Sequence, residues 1–302
     1  MGKIRIGKSV NHGLDTVVSH LGKFLPVALA VALAIWAVDF AGQTIIESTT
    51  DLPTFSEIWD AALAGKDPDQ GSRQDMTIQS VVGAATLFLT MFLLFMTVVT
   101  FLRALRDTDV AVKFATLRDP VVIGAAVAYS AATAGLILAV QLLPQYAGAL
   151  GGLVALAAAV VLIYVSIAWL MAEAAAAYEG RSGIAALRRS NELLSGNWWR
   201  MLGLALVYVL LLAAVALAML IVVALLPFVG AGDPIGSLLI SIPVTAFSAI
   251  LSAGVVQSAY ADVGAVATPP PGFPTSGATG PDPGDIPNVL PPAQDPPPPG
   301  VV

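Results

Sequence analysis

The chain contains no cysteine and only two histidines, and just 11% of its 302 residues are charged. The missing cysteines exclude disulfides and thiolate chemistry and leave the redox compartment open. The scarcity of charge excludes a water-facing globule, because a soluble domain carries roughly a quarter charged residues. No basic block of the kind that tracks phosphates is present, so nucleic acid is not an expected partner. His12 and His20 stand eight residues apart with Asp15 the one carboxylate between them, too small a set for a metal site, so they read as interfacial residues rather than metal ligands. Neither a Ser-centred elbow nor a phosphate loop is evident, so no catalytic constellation, cofactor or metal is expected.

What the chain does have is apolar surface: 57% of its residues are hydrophobic, and its mean hydropathy is +0.83. The hydrophobic residues gather into six runs, at 24–46, 76–102, 121–143, 150–172, 201–226 and 235–261. At 1.5 Å per residue the first reaches ~34 Å, enough to cross ~30 Å of hydrocarbon. It is also too long for the core of an ordinary signal peptide, which is the competing reading of the N-terminus. The expected fold is all-α: a polytopic membrane protein of six transmembrane helices with short amphipathic interfacial helices. Residues 1–23 form a cytoplasmic amphipathic segment, 24–261 the membrane domain, and 262–302 a Pro/Gly-rich tail. That tail cannot bury enough surface to offset its ordering entropy and is expected to be disordered. Pro243 either kinks the sixth span or marks its start.

Orientation follows from the basic residues. Lys3, Arg5, Lys8 and Lys23 precede the first span; Arg103, Arg106, Lys113 and Arg118 follow the second; Arg181, Arg188, Arg189 and Arg200 follow the fourth. Only Lys66 and Arg73 fall on the other side. The positive-inside rule therefore puts both termini on the cytoplasmic side of the membrane.

Each cytoplasmic segment carries an amphipathic stripe followed by a break. The first is Val10, Leu14, Val17, Val18 and Leu21, stopped at Gly22; the second is Val110, Phe114 and Leu117, ended by Asp119-Pro120. The third, residues 179–200, is the richest. Ser182 can cap a helix start, Ile184, Leu187, Leu193 and Leu194 fall on one half of the helix, and Arg188, Arg189 and Glu192 on the other. Gly196 is a good stop, and Asn197, Trp198, Trp199 and Arg200 then lead into an apolar run, as a bilayer interface favours. This describes a short helix in the headgroup plane that turns into a span. The three segments also fit three copies of one elbow-and-hairpin unit, at about 9–102, 109–177 and 182–261, although chance hydropathy would give the same pattern.

The third segment reads E-G, A-L-R-R-S, E-L-L, then G-N-W-W-R before a fresh apolar helix. Through Glu179, Gly180, Ala186, Leu187, Arg189, Ser190, Leu193, Gly196, Trp199 and Arg200 it resembles the bacterial and archaeal family named after the membrane domain of glycerophosphoryl diester phosphodiesterase. The resemblance implies a helical membrane domain, sometimes fused to a soluble phosphodiesterase, and little about activity. The His-and-carboxylate barrel of that fused enzyme has no counterpart in this sequence.

Ionisable groups inside the spans are the remaining candidates. Asp39 lies two-thirds of the way along the first span, where a charge costs about 2.5–3.5 kcal/mol, with Gln43 one turn on. It reads equally as a functional acid or as one hydrated near the outer interface. Glu173 is placed to pair with Arg181 or Arg200, and a clasp between the fourth and fifth spans is expected through Glu173 or Glu179 and a neighbouring arginine. Two functions follow. One is a non-enzymatic bundle that supports another membrane protein or organises lipid, holding anionic headgroups on the cytoplasmic face through Arg188, Arg189 and Lys113. The alternative is a carrier of a small or lipidic solute, with a cavity near Asp39, Gln141 and Gln257. Small residues in the third and fourth spans (Gly124, Ala128, Ala155, Ala159) suit tight packing and favour the first.

Overall fold

The computed structural model describes residues 3–50, 73–106, 114–146, 150–226 and 234–263. A helix expected at 55–63, Val110, Lys113 and the Pro-rich tail lie outside the described residues. Among the described residues the chain is helical: α1 (Ile6–Thr49), α2 (Arg73–Arg106), a 3-10 turn (Phe114–Arg118), α3 (Pro120–Tyr146), α4 (Gly151–Ala168), α5 (Ala172–Tyr178), α6 (Gly183–Leu194), α7 (Trp198–Ala224) and α8 (Pro234–Asp262). Six helical stretches are long and apolar enough to cross a membrane, with α4 and α5 contributing to one stretch. Helices dominate because in lipid each backbone N–H and C=O must find its partner within the segment.

Helix α1 differs from expectation. Its 44 residues run unbroken through Gly22 and Pro26, a length of about 66 Å, twice the hydrocarbon thickness. Gly22 does not stop it because tertiary contacts grip the helix on both sides of that residue. Before Gly22, α1 lies antiparallel against the C-terminal half of α8, and the two backbones nearly touch. A Cβ on Gly254 would come within 2.8 Å of the Gly13 Cα, and one on Gly13 within 2.6 Å of Val255 Cγ2. Beyond Gly22, Phe24 stacks on Phe101 of α2 with ring centroids 4.4 Å apart. Gly42 then meets Thr86 of the same helix. Small residues at such seams matter because apolar side chains gain little from leaving lipid, so close packing carries the association. With no turn at Gly22, the first expected elbow is absent. At the second, a 3-10 turn leads into α3, and Asp119 Oδ1 accepts the Val121 N–H at 2.9 Å in place of the bond a helix start lacks. Helix α8 begins at Pro234 and continues through Pro243, so that proline does not mark its start.

The fourth span is also not one helix. Residues 169–171 form a turn between α4 and α5, although no glycine or proline occurs there. The core lies below this break, where Phe95, Phe101, Leu102, Val122, Met171, Leu193, Met201, Leu204, Ile250 and Leu251 pack together. In contrast, α7 is almost bare. Only 6% of its most apolar window is buried, against 44% for α2 and α8, so α7 is the helix most given over to lipid.

Candidate functional site

Polar side chains concentrate where α2, α5 and α8 end and α1, α3 and α7 begin, the basic end of the bundle. The segment 179–200 organises this end. Helix α5 closes at Gly180, whose φ of +65° is a conformation glycine enters without steric cost. The chain then climbs back as α6 and turns at Gly196 (φ +81°) into α7.

Helix α6 turns its apolar stripe towards protein. Ala186, Leu187, Ser190, Leu193 and Leu194 are buried against α3 and α5, whereas Ile184, expected on that face, is 77% exposed. Nor does Ser182 cap the helix, since its side chain makes no capping hydrogen bond. Helix α6 thus folds back onto its own bundle, with Ile184, Arg188 and Glu192 on the free side.

Ser190 sits at the centre of that contact. Its hydroxyl donates to the Ala168 carbonyl at 2.7 Å and accepts from the Met171 N–H at 2.9 Å. Those groups are the end of α4 and the start of α5, so one fully buried side chain satisfies both lips of the break. Ser190 therefore explains how a span can be interrupted without orphaned backbone groups.

Glu179 ties together three elements. Arg189 Nε approaches Glu179 Oε1 and Oε2 at 2.9 and 2.8 Å, and the Tyr260 hydroxyl of α8 donates to Oε1 at 2.7 Å. Arg181 Nε stands 3.7 Å away. The hydrogen bond to Glu179, reinforced by its charge, holds the Arg189 guanidinium protonated even more firmly than usual against the opposing effect of burial. Arg189 also reaches Glu192 at 3.4 Å, as does the exposed Arg188. Next to this knot His12 Nε2 lies 3.0 Å from Gln257 Oε1, joining α1 to α8.

The N-terminus is fastened to the same end. Arg200 donates to the Ile4 carbonyl at 3.1 Å, and Asn197 Oδ1 accepts the Ile4 N–H at 3.5 Å. Asp262 receives the Arg5 N–H and guanidinium at 2.9 and 3.1 Å, with Lys8 at 3.7 Å. Arg103 donates to Asp119 at 2.7 Å. Burial alone would raise the Asp119 carboxyl, but the Arg103 hydrogen bond, the Val121 N–H and the arginine charge outweigh it and hold the group below its ordinary value. Trp198 stacks on Tyr164 of α4 at 5.7 Å and meets Trp199 edge-on at 4.8 Å, while Trp199 is exposed.

The structure separates other residues that the sequence grouped. Arg200 is engaged with Ile4, and among the described residues Glu173 has neither an ion pair nor a hydrogen bond, so the expected Glu173–Arg200 and Glu173–Arg181 pairs are not formed. Glu173 lies within electrostatic reach of Tyr129 and Tyr208 instead. Asp39 accepts from Thr90 of α2 at 3.2 Å, and Gln43 points outward. Gln141 lines a hollow with Ile46, Met76, Gln79, Ser80 and Gly83 at the opposite end from the basic one. Gln257 is at the basic end beside His12, which along α1 is ~40 Å from Asp39 at 1.5 Å per residue. Asp39, Gln141 and Gln257 therefore do not line one cavity. The Ser190 bridge, the His12–Gln257 bond and the Arg5–Asp262 pair escaped the sequence reading because each joins distant positions without a motif. Compared with protein-family models, curated proteins and solved structures, the chain finds no match.

Proposed function

We propose that this chain is a non-enzymatic six-span protein of the bacterial plasma membrane, with cytoplasmic termini, that organises lipid or supports another membrane component. The observation that carries this reading is the division of surfaces. Most carboxylates of the basic end are spent on internal joints, whereas α4 and α7 offer long apolar faces, including Leu153, Leu156, Val160, Leu206, Val209, Leu210 and Leu217. The resemblance of residues 179–200 to the glycerophosphoryl diester phosphodiesterase membrane domain agrees with this reading. Purification in native-lipid discs tests it: a reproducible set of anionic lipids or one membrane-protein partner is expected, and a lipid profile identical to the bulk membrane with no partner contradicts it.

Glu173 supports a second reading, a carrier. It lies just after the break in the fourth span, lacks a hydrogen bond or ion pair among the described residues, and is within electrostatic reach of Tyr129 and Tyr208. Interrupted helices with an isolated intramembrane acid are how carriers build ion-coupled sites. Proteoliposomes that build a proton flux abolished by Glu173→Gln would favour the carrier over the bundle.

A further inference from the structure

The basic end contains a hollow of about 390 Å³ lined by Arg103, Arg106, Ala177, Tyr178, Glu179 and Gly180. Among the described residues that line it, two arginines stand against one carboxylate. Glu179 is saturated by Arg189 and Tyr260, so its carboxylate is already neutralised. Arg103 commits Nη1 to Asp119 and keeps its other donors. Arg106, one turn further along α2, is exposed and makes no ion pair with any described carboxylate. Its charge reaches the Tyr178 and Tyr260 hydroxyls. Gly180 adds a backbone N–H that makes no hydrogen bond among the described residues. Two arginines and Gly180 therefore line one polar hollow at the end of the apolar helices, the level at which headgroup phosphates lie.

We propose that this hollow binds a phosphate group, and specifically that of an anionic lipid from the leaflet at the basic end. The inference rests on the lipid-organising reading above and assigns it a site other than the one the sequence suggested. Arg188 is solvent-facing and paired with Glu192, and Arg189 is consumed by Glu179, so neither is the principal contact. Arg106, which has no ion pair among the described residues, supplies the principal charge, Arg103 a second set of donors to the same phosphate, and Gly180 a backbone donor.

The test is native mass spectrometry of the full chain in nonionic detergent, titrated with phosphatidylglycerol or phosphatidylcholine. One phosphatidylglycerol should be retained preferentially. Removing one such charge should weaken it about fivefold, so Arg106→Gln should bind about fivefold less, Arg106→Lys should keep most of the affinity, and Arg188→Gln should match the wild type. Equal loss in Arg106→Gln and Arg188→Gln, or no loss in Arg106→Gln, overturns the site. If wild type keeps phosphatidylglycerol while Arg106→Gln is unaffected, the lipid-organising reading survives without this site; if wild type retains no lipid at all, both fall. Millimolar inorganic phosphate separates the two sources of phosphate. Failure to displace the lipid supports the headgroup, and displacement with equal thermal stabilisation of the protein assigns the hollow to a soluble phosphate compound and overturns the lipid.

Discussion

Replacing Ser190 by alanine removes a single oxygen and leaves the Ala168 carbonyl and the Met171 N–H without partners inside the bundle. Two magnitudes compete. An unsatisfied buried group costs about 1–3 kcal/mol in a protein interior, but hydrogen bonds between membrane helices average only ~0.6 kcal/mol, because the unfolded chain in lipid also finds partners. Summed over two bonds at good geometry, the loss should be ~1–3 kcal/mol, or roughly thirtyfold in the unfolding equilibrium at the middle of that range. Reversible unfolding by SDS in mixed micelles measures it, and hydrogen exchange at the Met171 amide localises it. Ser182→Ala is the control, because Ser182 starts the same helix but makes no capping bond, and should be near neutral. A Ser190→Ala protein within ~0.3 kcal/mol of wild type with a still-protected Met171 amide, or an equal loss in Ser182→Ala, would refute the bridge.

Other consequences follow from the same contacts. Charge reversal at Glu179 or at Arg189 should each lower the folded yield, and the double reversal should recover part of it. Recovery should be incomplete because the Tyr260 hydroxyl bond to Glu179 is not restored; no recovery in size-exclusion profiles counts against the clasp. Gly254→Ala should cost about 1–3 kcal/mol by forcing α1 from α8, since the added methyl would meet Gly13 Cα and Thr16, whereas Gly7→Ala, with nothing within 4 Å, should be neutral or stabilising. The Asp119 carboxyl is held below its ordinary value of 3.8 by Arg103 and backbone donors. Its contribution is therefore present in full above that value and lost as pH falls through the lower folded-state one. Asp119→Asn should flatten that acid limb of a thermal-unfolding profile, and an unchanged limb argues against the pairing.

The spans were legible because hydropathy over some twenty residues is a property of the local sequence alone, and so was the turn at Gly196 into Trp198. The sequence narrows a clasp between the fourth and fifth spans to Glu173 or Glu179; Glu179 does hold an arginine, Arg189, but that pair joins α5 to α6 and, through Tyr260, to α8 rather than to the fifth span. What could not be read were interruptions and continuities imposed from elsewhere in the chain. Gly22 looks like a stop, yet α1 stays helical through it, packed against α8 before it and α2 after it. The sequence around residues 169–171 runs into Ala172–Tyr178, a stretch of good helix formers, yet the helix breaks there. Its missing bonds are replaced by Ser190, nineteen residues on from Met171. The amphipathic stripe of α6 predicted a helix correctly but not its partner: periodicity says which side is apolar, not whether lipid or protein covers it. Ile184 belongs to the stripe by spacing and is left outside by the way α6 meets α3 and α5.

The central claim is a six-span bundle whose N-terminus and α6–α7 turn meet at one basic face. Because the natural chain has no cysteine, single substitutions Lys3→Cys, Thr50→Cys and Ser195→Cys can be probed in sealed cells and inverted vesicles with a membrane-impermeant maleimide. The account predicts labelling of positions 3 and 195 only from the cytoplasmic side and of position 50 only from the opposite side. Labelling of 3 and 195 from different sides, or of 50 together with 3, would contradict it.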